Sequence, residues 1–575
     1  MKTNIYINEN LNIKGEDKRQ RAFVAPKKIM RVYGNVNGAD ILVGTASSQA
    51  SIVDTTPPCI MKNENDKEHA AILVDFGAEI HGTVRILTKL TFGKNRERAP
   101  HLKARVRFGE SISEAITPVG THGATNDHAI RDTLIDVPYF AAFELSETGF
   151  RYFYLELMDD ECELELMSLT GVLIYRDLEY IGSFESSDSL LNRIWHTAAY
   201  TTHLNMQDYL WDGIKRDRIV WIGDMNTEVE TSLRVFGDTD VLRRSLEYAV
   251  DTTPLPKWMN NITTYSFWWL INVNALYLYT GDVEFIKKHD EYIYGLTKQI
   301  LSIVDDGGVV DTTVGRSLLD WSTRHDEHLT YVGTAALLAL TLKKIAPMLS
   351  ALGHEELISE CEGVYERIKL SGLTPTTHKV PSSLLSLAGL ADAKTIDEEI
   401  IEKEGVRGYT TFMGYSILLA KALAGNISGG IQAIRDYWGA MVKLGATTFF
   451  EDFDIDWVEN STGIDEFPTE GKTDIHRDFG KYCYTGLRHS LCHGWASGPC
   501  PWLSEHVLGF KIGAPGMTKL IIEPNLADLE FARGSLPTPF GPVYAEHRKS
   551  ENGEILTSVS APKEIELVFK SCRRV

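Results

Sequence analysis

All eleven tryptophans of this chain lie between Trp195 and Trp502, so both ends are built without the largest side chain. A tryptophan-rich middle between tryptophan-free ends divides the sequence into three parts. Length points the same way. At 575 residues the chain exceeds the roughly 250–300 residues at which one hydrophobic core stops growing, so about two to four domains are expected.

The first part, 1–182, reads as β. Ala71-Ile-Leu-Val-Asp-Phe76, Thr83-Val-Arg-Ile-Leu87, Ala104-Arg-Val-Arg-Phe108, Tyr152-Phe-Tyr-Leu-Glu-Leu157 and Glu163-Leu-Glu-Leu166 are short runs, several alternating apolar and polar. That period of two predicts strands, and a β-sandwich is the natural arrangement. The middle, 183–505, changes period. Ser186-Ser-Asp-Ser189 is a helix-start signal. Helical runs follow over 266–280, 331–352, 409–424 and 431–444, each closed by a glycine (Gly281, Gly353, Gly425, Gly445). About ten to twelve helices paired by short loops suit an α/α barrel. The tail, 506–575, returns to strands at Lys519-Leu-Ile-Ile-Glu523, Val543-Tyr-Ala-Glu546 and Glu564-Ile-Glu-Leu-Val-Phe569, a small closing β domain.

Charge narrows the partners. Lys and Arg number 58 against 79 Asp and Glu, a net charge of −21. Such a surface repels phosphate backbones and anionic lipid, so neither nucleic acid nor membrane is an expected partner, and a small neutral or cationic substrate is easier to accept. No apolar run approaches the roughly 18–20 residues of a membrane span. The start at Met1 to Asn10 lacks the apolar stretch of a secretory leader. Seven scattered cysteines, odd in number, suit a reducing compartment, so a cytoplasmic location is expected. Cys483, Cys492 and Cys500 lack a C-x-x-C step, and buried thiols are a better reading than zinc.

The densest chemistry is Trp211-Asp-Gly-Ile-Lys-Arg-Asp-Arg-Ile-Val-Trp-Ile-Gly-Asp224, with three carboxylates, two arginines, a lysine and two tryptophans. It reads as a loop feeding a helix near Asp224. Charged groups bind sugar hydroxyls and indole faces stack on sugar rings, though a structural salt-bridge loop has the same composition. Gly445-Ala-Thr-Thr-Phe-Phe-Glu-Asp-Phe-Asp454, with Trp457 after it, again mixes carboxylates with aromatics. Leu318-Leu-Asp-Trp321 sets Asp320 beside an indole, and His489 and His493 are four apart, with no surrounding metal-ligand pattern. Trp258, Trp268 and Trp269 fit either a site or a core. Walker, G-x-G-x-x-G, G-x-S-x-G and H-E-x-x-H motifs are missing from the sequence. What remains is metal-free acid–base chemistry by carboxylates, with no cofactor implied.

These motifs together resemble the bacterial α-L-rhamnosidases. The likeness runs through Val74-Asp-Phe-Gly77, Arg107-Phe-Gly-Glu-Ser111, Gly182-Ser-Phe-Glu-Ser-Ser-Asp188, Tyr277-Leu-Tyr-Thr-Gly-Asp282, Asp320-Trp321, Gly445-Ala-Thr-Thr448 with Glu451, and Ser490-Leu-Cys-His493. It continues from Gly513-Ala-Pro-Gly516 to Gly534-Ser-Leu-Pro-Thr-Pro-Phe-Gly541. The resemblance implies an N-terminal β-sandwich, a central (α/α)6 barrel, a small C-terminal β-sandwich and inverting hydrolysis of rhamnosides. It also implies a compact form without further carbohydrate-binding modules, suited to small rhamnose-containing glycosides; a homodimer stays open. The family usually shows Arg-Asp-Glu-Arg before Trp-x-Gly-Asp, with glutamate as acid. Here Arg216-Asp-Arg218 is one residue shorter, so Asp217 takes the acid position, with Asp224 and Asp212 as alternatives.

By this resemblance Asp217 is the general acid and Glu451 the general base, and neighbouring Asp212 and Asp224 raise the acid's pKa or bind rhamnose hydroxyls. Arg216 clamps Asp212 or a hydroxyl. Trp221, Trp268, Trp321 and Trp457 are candidate walls around the C6 methyl, with Asp320 and His493 as further substrate partners. The alternatives are a barrel glycosidase or lyase of other sugar specificity, or a non-catalytic sugar-binding protein.

Overall fold

A computed structural model describes residues 17–44, 49, 51, 53, 55–64 and 68–575. The chain start at Met1 to Asn10 lies outside the described residues. Ten strands between Arg19 and Arg176 join in one hydrogen-bonded network. Its spine is Ala71–Phe92, a single strand of 22 residues. The sequence predicts two strands here, 71–76 and 83–87. The interruption is instead absorbed as a register shift between Asp75 and Ile80 against Thr148–Leu157, so the polar step bends the strand without ending it. Gly82 lies where a Cβ would stand 1.8 Å from the Val172 carbonyl oxygen, so only glycine lets the neighbouring strand approach. Alternate residues of these strands (Ile72, Val84, Val106, Phe153) fill a core of their own.

The middle is helical. Among the described residues it holds fourteen α-helices, ten of them of ten residues or more. Asp188 accepts from the amides of Leu190 and Leu191 and so caps Ser189–Asn205, as the Ser-Ser-Asp-Ser signal predicts. Thr263–Thr280 ends on Gly281 in the left-handed region. Two predicted spans are corrected. The 331–352 run is two helices, Glu327–Lys344 and Ala346–Ala351, with Pro347 in the first turn of the second, where its missing N–H costs nothing. The 409–424 run is helical only over Gly414–Leu423, because Thr410 and Thr411 turn inward to bond Asp320 and the Glu451 carbonyl. The helical stretch Glu327–Ala351 is also long and apolar enough to cross a membrane, contrary to the reading of the sequence, but 78% of its most apolar 18 residues are buried within the protein.

C-terminal strands Phe531–Leu536, Val543–Lys549 and Ile555–Ser560 form a sheet that Ser183–Ser186 joins at its edge. Leu520, Leu536 and Val543 share one apolar core with the helices. The tail therefore closes onto the helical middle, while the N-terminal strands pack separately.

Candidate active site

Three loops meet between the helical middle and the N-terminal strands. The first, 206–224, leaves helix Ser189–Asn205 and feeds Met225–Val235. The second, 444–457, follows helix Ile427–Lys443. The third, 473–498, precedes Pro499–His506. Backbone hydrogen bonds join them: Gly494 N–H to the Asp212 carbonyl at 2.9 Å, Glu451 N–H to Ser490 at 2.9 Å, and His493 N–H to Phe449 at 2.9 Å.

Arg216 is the hub. Its Nη1 donates to Asp217 Oδ1 at 3.0 Å, and its Nη2 donates to Glu451 Oε1. Glu451 also accepts the Ser490 amide at 2.8 Å and the Cys483 thiol at 3.2 Å. Burial pushes the Glu451 carboxyl up, but the Arg216 guanidinium and the Ser490 amide outweigh it and bring it down to about 2. Glu451 is therefore a buried, ionised carboxylate at neutral pH.

Asp212 and Asp224 are the opposite. Both are buried, and burial followed by neighbouring carboxylates drives their carboxyls well above the ordinary range. Tyr265 donates its hydroxyl to Asp224 at 2.7 Å, which offsets part of this. The elevation expected from close carboxylates is thus found at these two residues. Between them stands His493, with Nε2 3.7 Å from Asp212 and 3.9 Å from Asp224. Burial lowers its pKa to about 4, so the ring is neutral at neutral pH. It packs over Trp495 at 3.9 Å between centroids.

Asp217 lies toward solvent, its side chain 18% exposed. The Trp221 indole N–H donates to it at 3.0 Å. Asp217 and Arg218 both hold left-handed backbone (φ 56° and 55°), a conformation non-glycine residues keep only where surrounding contacts enforce it. Trp321 joins more distantly, its ring 6.4 Å from Tyr484, on which the Arg216 guanidinium sits at 4.0 Å. Asp320 is buried and accepts from Thr410 Oγ1 at 2.9 Å; the adjacent Thr411 reaches the Glu451 carbonyl. Trp457 is stacked on Phe479, with centroids 5.4 Å apart and planes 9° off parallel, and Trp268 lies in the helical core.

Reading the sequence did not single out Tyr265, Cys483 or Tyr484 as parts of this site, and it touched Asp452 only within the 445–454 run. Asp452 accepts the amides of Lys481, Tyr482 and Cys483, so it fastens the Cys483 loop beside Glu451. Tyr265, Cys483 and Tyr484 carry no local motif. Glu110, Glu114 and His476 converge as possible metal ligands. However, Lys215 Nζ stands 2.7 Å from Glu114 and 3.3 Å from Glu110, so an ammonium already balances the carboxylates.

Residues 179–370 match the bacterial alpha-L-rhamnosidase 6 hairpin glycosidase domain. The alpha-L-rhamnosidase of Formosa agariphila is 20% identical over 534 residues, 85% of this chain and 54% of that protein. Among solved structures, the GH78 family rhamnosidase of Bacillus sp. GL1 superposes with a TM-score of 0.72 at 20% identity, covering 90% of this chain and 55% of that one. The rhamnosidase from Klebsiella oxytoca with rhamnose bound gives 0.66 at 18% identity, covering 85% and 96%. The chain spans about half the length of the curated relatives it matches. Domain match, relatives and shared fold agree that the chain is similar to the bacterial α-L-rhamnosidases, in its helical middle above all.

Proposed function

We propose that this protein is an inverting glycoside hydrolase that releases terminal α-L-rhamnose from small rhamnosides, with Asp217 as general acid and Glu451 as general base. The observation that carries this reading is Arg216, which holds both carboxylates on one guanidinium. Two hydrogen bonds and the width of that group keep the carboxylates within about 8 Å of each other. An inverting pair stands roughly 6.5–9.5 Å apart, with room for a water between base and anomeric carbon. Glu451, ionised, is suited to take the proton of that water.

The acid must reach the leaving oxygen at the mouth of the site. Asp217 is the one member of the aspartate trio that is not fully buried. Asp212 and Asp224, buried and with their carboxyls pushed up by burial and by neighbouring carboxylates, are suited to hydrogen-bond rhamnose hydroxyls, and His493 between them can accept or donate. Trp221 and Trp321 line the approach. In this reading the helical middle (183–505) closes as an (α/α)6 barrel between β-sandwiches at 1–182 and 506–575. Its seven free cysteines suit work on imported glycosides in the cytoplasm.

The test is hydrolysis of p-nitrophenyl α-L-rhamnoside followed by proton NMR. Release of β-rhamnose first is expected. Turnover of another glycoside and none of this one rejects the specificity, and α-rhamnose first rejects inversion.

A further inference from the structure

We propose that the N-terminal strands are part of the hydrolytic site itself, with Glu110 holding the base through Ser490 and Leu491 and His128 standing beside the acid on its solvent side. This rests on the assignment of Asp217 and Glu451 above.

Glu110 directly follows strand His101–Gly109 and is fully buried. Its Oε1 accepts the Ser490 hydroxyl at 3.0 Å and its Oε2 the Leu491 amide at 2.8 Å. The amide of the same Ser490 holds Glu451 Oε2. A carboxylate in the strands therefore fixes the segment whose backbone fixes the base. The anchor is itself anchored. Lys215, from the loop that carries Asp217, bonds Glu114 and the carbonyls of Leu487 and His489. Arg131 bonds Glu114 and the Gly149 carbonyl. The network passes from the strands to both carboxylate-bearing loops without reaching solvent.

His128 lies on the 118–131 connection between strands. Its Nε2 is 3.4 Å from Asp217 Oδ1 and its side chain is 42% exposed. Its backbone is left-handed (φ 62°), as are Asp217 and Arg218. Arg218 donates to the His128 carbonyl, and Asp127 pairs with Arg488 at 2.8 Å. Gly123 approaches so closely that a Cβ there would stand 2.7 Å from the Thr485 carbonyl oxygen. This connection is thus pinned to the site at several points. Since the acid faces the leaving group, the side chain on its exposed flank stands where the aglycone departs. Catalytic hydrogen bonds are often long without substrate, so 3.4 Å is within reach of tightening.

The two positions predict different kinetics. A base displaced by about 1 Å loses about 10²-fold whatever leaves. Glu110→Ala should therefore lower kcat about 10²-fold on both p-nitrophenyl rhamnoside and a rhamnosyl disaccharide, with KM little changed. Glu110→Gln, which still accepts the Leu491 amide, should recover most of that. Ser490→Ala removes the hydroxyl bridge, with that hydroxyl's contacts to the Cys492 backbone, while keeping the amide on Glu451, and should cost about tenfold on both substrates; it decides the question if Glu110→Ala does not fold. His128→Ala should cost about tenfold on the disaccharide and clearly less on the aryl substrate, whose leaving group needs little protonation.

Folded Glu110 and Ser490 variants with wild-type kcat overturn the base half. Equal losses on both substrates for His128→Ala overturn the acid half. A wild-type protein inactive on all rhamnosides sinks the functional reading instead. A crystal structure of Ser490→Ala then decides the positioning: a displaced Glu451 carboxylate supports it and an unmoved one refutes it.

Discussion

Replacing Arg216 with Met removes the positive charge shared by the two assigned carboxylates while keeping most of the side chain's bulk. Glu451 sits at about 2 against an ordinary 4.5, so the fold favours its charged form by roughly 3 kcal/mol. Burial acts the other way and is the largest single influence on it. Without Arg216 that influence is left weakly opposed, and the Glu451 carboxyl should rise past its ordinary value. In the wild type the acid limb of kcat/KM is therefore not set by Glu451 above about pH 3. In Arg216→Met it should be, moving up by about two pH units or more.

Stability carries the same signature. A depressed folded pKa contributes stability that is complete above the unfolded value and lost as pH falls through the folded one. The wild type should therefore lose roughly 3 kcal/mol between about pH 4.5 and pH 2 from this group. Arg216→Met should lack that component. At neutral pH it should be less stable by about 3–5 kcal/mol, the usual cost of leaving one partner of a buried pair uncompensated. Adding Glu451→Gln should recover most of that loss, since the fully buried charge is gone and the remaining carboxylate, Asp217, is partly exposed. Urea unfolding of the wild type, Arg216→Met, Glu451→Gln and the double variant across pH, with kcat/KM profiles from pH 3 to 8 for the first two, measures both effects. An Arg216→Met protein with the wild-type acid limb, or a double variant less stable than the single one, refutes the reasoning.

Asp217→Asn and Glu451→Gln should each lower kcat by about 10²–10⁴-fold. An activated aryl rhamnoside should partly rescue only Asp217→Asn, and near wild-type activity of that variant on a disaccharide moves the search for the acid to Asp224. Lys215→Met leaves Glu110 and Glu114 with less counter-charge in a buried network and should cost about 3–5 kcal/mol in urea unfolding; a change under 1 kcal/mol would show that the lysine is dispensable. Activity should survive EDTA, because Lys215 occupies the position a cation would take between Glu110 and Glu114; loss restored by one divalent ion contradicts this.

Legibility in the sequence followed the distance over which each group acts. Asp212, Arg216, Asp217, Trp221 and Asp224 lie within thirteen residues, so their density alone marks a site, and the structure sets Asp217 between the Arg216 guanidinium and the Trp221 indole, with Asp212 and Asp224 flanking His493. Glu451 stands out among aromatics, and its partners Ser490 and Cys483 come from 39 and 32 residues away. Tyr265 belongs to a helix so uniformly buried that no face of it looks functional. Tryptophan misleads for a related reason. The indole that stacks on a sugar also fills a core, and composition does not tell Trp221, hydrogen-bonded to Asp217, from Trp457, stacked on Phe479. Strand character was legible in 71–76 and in 83–87, but whether the chain between them turned or bulged depended on Thr148–Leu157 beside it.

The charged residue Glu110, directly after its strand, sits in a motif, Arg107-Phe-Gly-Glu-Ser111, that resembles the family without announcing a task. Its reason is 380 residues away, at Ser490. A fully buried carboxylate is costly unless it is paired and hydrogen-bonded. Glu110 meets that condition with groups from the Lys215 and Ser490 loops, so the energetic demand of burying it and the geometric demand of holding Glu451 are met by the same contacts. The N-terminal strands and the helical middle are then expected to stand or fall together as a hydrolase, although their apolar cores are separate.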